Sequence, residues 1–352
     1  MNIKSLLLGS AAALAVVSGA QAADAIVAAE PEPMEYVRVC DAFGTGYFYI
    51  PGTETCLKIS GYVRAQVDFR ADDYNIDPAT GLGLDAGYRT NTRGYLEISA
   101  MSDSEIGAIE GYIALESDSR ANPNGNTFLD TAIIKVAGFT VGYMYNYWDA
   151  GINGETDSLD GDTFGAGAAT LNDAIQYTYK NDAFSVSGTV ESFNNASGYK
   201  TNGDDIGISG QIVAAFGPAS LDFIASYDAG LEEAAFRGIV SADLGPGKLQ
   251  VAGVYSTGAS RYWDDSEWSV AASYAAKLTD KLSLTPGVQY WDSIGYNFAT
   301  EDYDSGNDAW KAGLTLDYKI AEGLTTKISA QYIDVDNGAE GFGGFFRLQR
   351  SF

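Results

Sequence analysis

The sequence predicts an all-β chain, a closed transmembrane antiparallel β-barrel of about sixteen strands, with short turns on one rim and long loops on the other. Three observations lead there. The stretch Leu57 to Ala71, LKISGYVRAQVDFRA, alternates without a break. One face holds Leu57, Ile59, Gly61, Val63, Ala65, Val67 and Phe69, and the other holds Lys58, Ser60, Tyr62, Arg64, Gln66, Asp68 and Arg70. Its length exceeds the about 9 to 11 tilted residues that cross a bilayer, with one face uncharged for lipid and one charged for water. After residue 22, no apolar run is long enough to cross as a helix, so an exported chain of this kind is either soluble or a barrel.

The chain begins with Met1 to Ala22, which reads as a secretory signal. Lys4 gives the charged start, Leu6 to Val17 the apolar centre, and Ala20-Gln21-Ala22 the small-residue cleavage pattern. Residues 23–56 follow as a segment expected at the barrel entrance or periplasmic side. It carries the acidic leader Glu30-Pro31-Glu32-Pro33 and the aromatic patch Tyr47 to Tyr49, whose expected role is packing at a barrel mouth. Cys40 and Cys56 are the only cysteines, an even count in a chain bound for an oxidising compartment. A disulfide is the default reading, worth roughly 3 kcal/mol by loop entropy, with two buried thiols as the alternative. Without C-x-x-C spacing the pair has no redox signature.

Residues 57–352 are the barrel. After Leu57 to Ala71, strand-like alternation recurs at Asn91 to Ala100, Ala108 to Ser117, Phe139 to Asn146, Ala174 to Lys180, Phe184 to Glu191 and Ile206 to Ala215, and Phe128 to Val136 is also strand-like but with either face able to point inward. It continues at Ser220 to Tyr227, Ala235 to Leu244, Lys248 to Ser256, Trp268 to Leu278, Leu282 to Trp291, Trp310 to Lys319, Leu324 to Tyr332 and Phe345 to Phe352. Tight connections at Val136-Ala137-Gly138, Asn181-Asp182, Gly217-Pro218, Gly245-Pro246-Gly247 and Thr279-Asp280 are rich in turn formers. Long ones run over Asp72 to Gly87, Ser119 to Thr127, Tyr147 to Thr170, Ser192 to Asp205, Thr257 to Glu267, Asp292 to Asp308 and Ile333 to Phe342. In outer-membrane barrels the short rim is periplasmic.

Aromatics on the lipid phase sort to the two strand ends, as two membrane interfaces would demand. Tyr227, Tyr255, Trp268, Tyr290, Trp310 and Tyr332 fall beside long loops; Tyr179, Phe184, Tyr318 and Phe352 fall beside short turns. Arg350 breaks the phase, but near a terminus a lipid-facing charge costs only ~0 to 1 kcal/mol.

Composition limits the chemistry. The chain has 352 residues, 46% of them hydrophobic, and a formal net charge of -26. The acidic balance repels a polyanion, so nucleic acid is not an expected partner. There is no histidine, which removes Ser-His and Cys-His catalysis and histidine metal ligation together and weighs against a barrel enzyme. No catalytic residue, resident metal or cofactor is expected. Acids crowd the long loops, as at Asp72-Asp73, Asp204-Asp205, Asp264-Asp265 and Glu301-Asp302. They read either as solvated loops or as carboxylates sharing calcium or magnesium, non-specifically, with anionic lipid and lipopolysaccharide headgroups. Asp302-x-Asp304-x-Gly306-x-Asp308 and Asp334-x-Asp336-x-Gly338 resemble calcium-loop fragments, yet neither completes the spacing.

At about sixteen strands the interior is too wide for side chains to fill, so a water-filled lumen is expected and whatever narrows it decides passage. The longest gap, YWDAGINGETDSLDGDTFGAGAAT from Tyr147 to Thr170, is the best candidate. Its acids are Asp149, Glu155, Asp157, Asp160 and Asp162, and the inward arginines of the early strands are Arg64, Arg70 and Arg93. The expectation is that this third long loop folds inward opposite these arginines, making an eyelet with a transverse field. A solvated outer flap is the alternative. Inward Tyr62, Tyr95 and Tyr112 leave open a substrate-specific channel with an aromatic track, for example one for sugars.

The start MNIKSLLLGSAAALA, the segment EYVRVCDAFGTGYFYIPGTETCLKISGYVR (Glu35 to Arg64) and the ending FRLQRSF (Phe346 to Phe352) resemble the alphaproteobacterial general porins of rhizobial type. The resemblance implies a sixteen-stranded, usually trimeric barrel through which small hydrophilic solutes and ions diffuse passively across the cell outer membrane. It also implies that the third loop enters the channel. The final Phe resembles the signal read by the barrel assembly machinery, which places Phe346, Leu348 and Phe352 as assembly residues.

Overall fold

The computed structural model describes residues 38–71, 86–120, 126–161, 163–164, 168–194, 203, 205–336 and 338–352. The signal Met1 to Ala22, the acidic leader and Asp162 lie outside the described residues.

Sixteen strands build the barrel: β1 Cys56–Arg70, β2 Gly87–Ser102, β3 Ile109–Asp118, β4 Asn126–Val136, β5 Phe139–Tyr145, β6 Leu171–Lys180, β7 Phe184–Ser192 and β8 Ile206–Phe216. They continue as β9 Ala219–Asp228, β10 Glu233–Leu244, β11 Gly247–Ser256, β12 Ser266–Lys277, β13 Leu282–Ile294, β14 Ala309–Ala321, β15 Leu324–Val335 and β16 Glu340–Ser351. Each strand pairs antiparallel with the next. β16 returns to β1 from Gly343↔Arg70 to Ser351↔Tyr62, and this seam closes the sheet. Closure is what hydrocarbon demands, since an open edge would leave a row of backbone groups unpaired at several kcal/mol each.

Because the period of a strand is two, each strand turns one list outward and one inward. On β1, Ile59, Val63, Val67 and Phe69 are exposed while Tyr62, Arg64, Gln66 and Asp68 are partly covered. The arrangement inverts that of a water-soluble protein. Exposed Val, Ile, Leu and aromatic side chains form the outer surface, whereas buried Ser, Thr, Gln, Glu and Arg lie inside. The outward aromatics fall where the alternation puts them. Trp268 packs on Tyr290, and Trp310 on Tyr332, beside long loops, while Tyr179 packs on Phe184 beside a short turn. Arg350 stays outward and donates to the carbonyl oxygens of Glu322 and Ser351 at 3.1 and 2.8 Å, within the short-turn rim.

One connection differs from expectation. Ile333 to Phe342 is not a long loop, because β15 runs to Val335 and β16 begins at Glu340. The glycine-rich sequence Gly341 to Gly344 hides the alternation at the start of β16, though its backbone pairs with β15 throughout.

At the short-turn rim the chain before β1 folds back. Cys40 and Cys56 form a disulfide with Cα atoms 6.0 Å apart. Phe48–Tyr49 pairs with Leu57 and Cys56, along the stretch of β1 that lies beyond the end of β16. Tyr47 reaches the lumen side, its hydroxyl 2.9 Å from Ser99 Oγ on β2, with Lys58 Nζ 5.7 Å from its ring centre.

Candidate functional site

Half of the barrel's inner wall is covered by its own chain. The described residues of the connection between β5 and β6, 146–161, 163–164 and 168–170, run inward and lie along the lumen faces of β7, β9 to β11 and β13 to β15, held by side chains that the alternation aims inward. Tyr147 accepts a hydrogen bond from Thr189 on β7 at 2.7 Å, and buried Trp148 donates from Nε1 to Ser226 on β9 at 2.9 Å. Arg237 on β10, only 1% exposed, donates to the carbonyl oxygens of Trp148 and Leu159 at 3.0 Å each and of Tyr147 at 2.6 Å. Its guanidinium also lies 5.2 Å from the Trp148 ring centre. Farther along, Gln250 on β11 accepts from the Asn153 N–H at 2.7 Å and Gln289 on β13 from the Ser158 N–H at 2.6 Å. Lys311 on β14 donates to Ser158 Oγ at 3.1 Å.

The tip reaches the far end of the sheet. Glu155 pairs with Lys327 on β15, lies 3.7 Å from Arg347 on β16, and accepts at its carbonyl from Gln331. Glycine is what lets the loop lie this flat. Gly154 has φ +95°, and a Cβ there would sit 3.0 Å from Thr285 Cγ2 on β13. Behind the strap, Trp148, Phe193, Tyr262, Trp263 and Trp291 pack as an aromatic core inside the barrel. It is locked by Arg261, which bonds Asp228 twice through its side chain, at 2.6 and 2.8 Å, and Asp205 once at 2.7 Å.

The arc left uncovered runs from β16 through β1 to β4, and there the charges sort. Toward one side stand Arg347 and Arg64, on β16 and β1, with Lys327 of β15 beside them at the tip of the loop. Toward the other stand Glu97, Glu116, Asp118 and Asp130, on β2, β3 and β4. Tyr95 and Tyr145 both donate to Asp130, at 2.6 and 2.7 Å, and Tyr112 donates to Glu97 at 2.6 Å. These tyrosines are therefore fixed as hydroxyl donors to acids. Tyr62 and Tyr95 stack on each other at 5.0 Å, with Arg64 4.7 Å from the Tyr62 ring centre, so this pair does not present an open aromatic track.

The sequence-derived residues fall into three groups. Asp149, Glu155, Asp157 and Asp160 lie on the inward loop, but their surroundings differ. Asp157 turns back to accept the loop's own Ile152 N–H at 3.2 Å. Burial pushes Asp157 up to about 6, against the pull of that N–H and of Lys311. The Asp149 side chain opens to the lumen, yet surrounding protein, Asp160 and Asp130 push it up to about 6 as well. Of the arginines, only Arg64 stands in the basic group. Arg93 is a correction: its register puts it opposite Asp118, so Glu116 at 2.6 Å and Asp118 at 2.8 Å neutralise it within its own sheet. Arg70 is another, since it sits at the long-loop end of β1 beside Asp68, Tyr88 and Arg89 in a cavity of about 230 Å³. The cations that meet the loop are Arg237, Lys311, Lys327 and Arg347. They come from the second half of the chain, and their inward phase was readable from the strand alternation alone.

The comparisons with known proteins agree with this architecture. The family model described as the porin subfamily matches residues 24–344. The putative outer membrane protein y4fJ of Sinorhizobium fredii is 46% identical over 100% of this chain and 99% of its own length. Outer membrane protein IIIA of Rhizobium leguminosarum is 40% identical over 98% of this chain and 93% of its own. Among solved structures, OmpT of Vibrio cholerae in its trimer form shares the fold with a TM-score of 0.60 at 13% identity, covering 85% of this chain and 100% of its own. With the family matched over nearly its whole length, the chain belongs to the porin subfamily, channel-forming β-barrels of the outer membrane.

Proposed function

We propose that solutes pass through the crescent between the inward loop and the uncovered arc β16 to β4, and that the sorted charges of that arc set a transverse field there. The protein is an outer-membrane porin, a channel for passive diffusion rather than an enzyme. The observation that supports the proposed path is the strap formed by the described residues between β5 and β6, held against β10, β11 and β13 to β15 by Arg237, Gln250, Gln289, Lys311 and Lys327. Near this constriction charges act within about one Debye length, ~8 Å at physiological salt; of the long-loop acids, Asp265 is itself buried there and accepts from the Thr163 and Phe164 N–H groups of the strap at 3.1 and 2.8 Å. The test is the reversal potential of purified protein in a planar bilayer under a salt gradient. Neutralising Asp149, Asp157 and Asp160 together is expected to move it toward anions; an unmoved potential with normal conductance rejects the path.

We further infer three copies per assembly, following the trimer form of OmpT and the porin resemblance. Phe346, Leu348 and Phe352 form an outward stripe, 48%, 37% and 62% exposed, open to assembly factors during insertion. Phe352→Ala is expected to lower the yield of folded barrel in the outer membrane severalfold without changing the conductance of the channels that form. Acidic outer loops bridged to lipopolysaccharide through magnesium or calcium predict that chelation lowers thermal stability in native membranes.

A further inference from the structure

The seam between β16 and β1 repeats one sequence device on both strands. Tyr62-x-Arg64-x-Gln66-x-Asp68 stands on β1, and Phe345-x-Arg347-x-Gln349-x-Ser351 on β16. The register sets Arg64 opposite Gln349 and Arg347 opposite Gln66. Each arginine donates from Nε to the glutamine across the seam, Arg64 to Gln349 Oε1 at 2.9 Å and Arg347 to Gln66 Oε1 at 2.6 Å. Each guanidinium lies against the aromatic ring two residues before it, at 4.7 Å for Tyr62 and 4.4 Å for Phe345. Each glutamine is oriented in turn, its amide nitrogen donating two residues onward, to Asp68 at 2.6 Å or Ser351 at 3.2 Å.

The chemistry of the orienting group matters. A carboxylate would hold an arginine and cancel its charge; a glutamine holds it and leaves the charge in place. Among the described residues no carboxylate lies within ion-pair distance of Arg64, and the one near Arg347, Glu155 at 3.7 Å, also serves Lys327. With Nε and the ring faces engaged, the Nη edge of Arg64 remains for a ligand, and that of Arg347 meets Glu155 only at 3.7 Å from Nη1, a carboxylate that Lys327 holds more closely. The two arginines are diagonal neighbours, about 7 to 8 Å apart at the backbone. They border a lumen cavity of about 400 Å³ that is also lined by Lys281, Lys319 and Lys327, against Asp280 and Asp317.

We propose that this seam is a binding site for a compact multivalent oxyanion, phosphate or carboxylate in type, gripped by the Nη edges of Arg64 and Arg347. The site rests on the porin reading and assigns it a preferred solute class. An anion held between two preorganised forks dwells long enough to interrupt the ion current, so the site is visible as saturable block.

Single-channel currents carried by chloride would be recorded with pyrophosphate or citrate added to one side. Saturable block by pyrophosphate alone, citrate alone or both supports the site and identifies the group it takes. The double variant Gln66→Glu with Gln349→Glu keeps both arginines held but neutralised, and is expected to raise the half-blocking concentration about tenfold or more. Arg64→Gln with Arg347→Gln should do the same, each variant checked for heat-modifiable migration of a folded barrel. Normal conductance with no block by either anion, or block unaltered in folded variants, overturns the site and leaves the porin reading standing. Absence of any conductance would overturn both.

Discussion

The covered and uncovered arcs of the inner wall use the same alternation for opposite ends. On β7, β9 to β11 and β13 to β15 the inward side chains that meet the strap are neutral groups, single cations and one acid, Glu191, and the strap consumes them as donors and acceptors. From β16 to β4 the inward side chains are charged in blocks and the loop does not cover them, although Glu116 and Asp130 are buried among their own neighbours. The difference teaches that in this barrel packing and permeation are separate tasks, divided around the circumference rather than along the axis. A side chain's role follows from which arc its strand joins, more than from its charge.

The largest effect should come from detaching the strap. Arg237→Ala leaves three loop carbonyls and the Trp148 ring without their partner. The expected cost is about 3 to 5 kcal/mol of stability. Single-channel traces should show larger, noisier openings, and unchanged conductance with unchanged melting would break the distinction between arcs. Next is the rim beside the seam. Replacing Cys40 and Cys56 together by serine should cost roughly 3 kcal/mol in thermal unfolding, while unit conductance holds, because the clip lies outside both arcs of the constriction.

Acidification sharpens the comparison from the open side. Asp149 and Asp157, both pushed up to about 6, are ionised at neutral pH and largely protonated by pH 5. Their lost charge removes attraction for cations worth about 0.5 kcal/mol per pair at ~8 Å in water. Selectivity should therefore drift about twofold toward anions between pH 7 and pH 5, read from reversal potentials; a drift toward cations contradicts the assignment. The smallest effect is expected from Glu155→Gln, which frees Lys327 and Arg347 from one partly exposed carboxylate. Stability should fall by about 1 kcal/mol or less, with a slight gain in chloride permeability.

Much of the fold was legible because a strand between lipid and water must alternate, and Leu57 to Ala71 displays this in full. Fifteen of the sixteen strands could be phased on that basis; Phe128 to Val136 could not, because its pairing skips Asp130 and the alternation shifts there. The inward loop was recognised by its length and glycines. What sequence could not supply was circumference. That Arg237 would reach Tyr147, ninety residues away, depends on which wall the loop leans against. The fate of Arg93 depends on register, since a shift of one pair would have left it unneutralised. Lys327 and Arg347 stood inward by phase, yet their meeting with Glu155 follows only once the seam has closed.

The division of the wall is tested most directly by thiol labelling during single-channel recording, since the described residues contain no free cysteine. Tyr112→Cys lies on the open arc, and Gln289→Cys, at a position 0% exposed, lies beneath the strap. A small charged thiol reagent should reduce the current through the first variant and leave the second unaffected. Rapid block at Gln289→Cys with none at Tyr112→Cys would contradict the account.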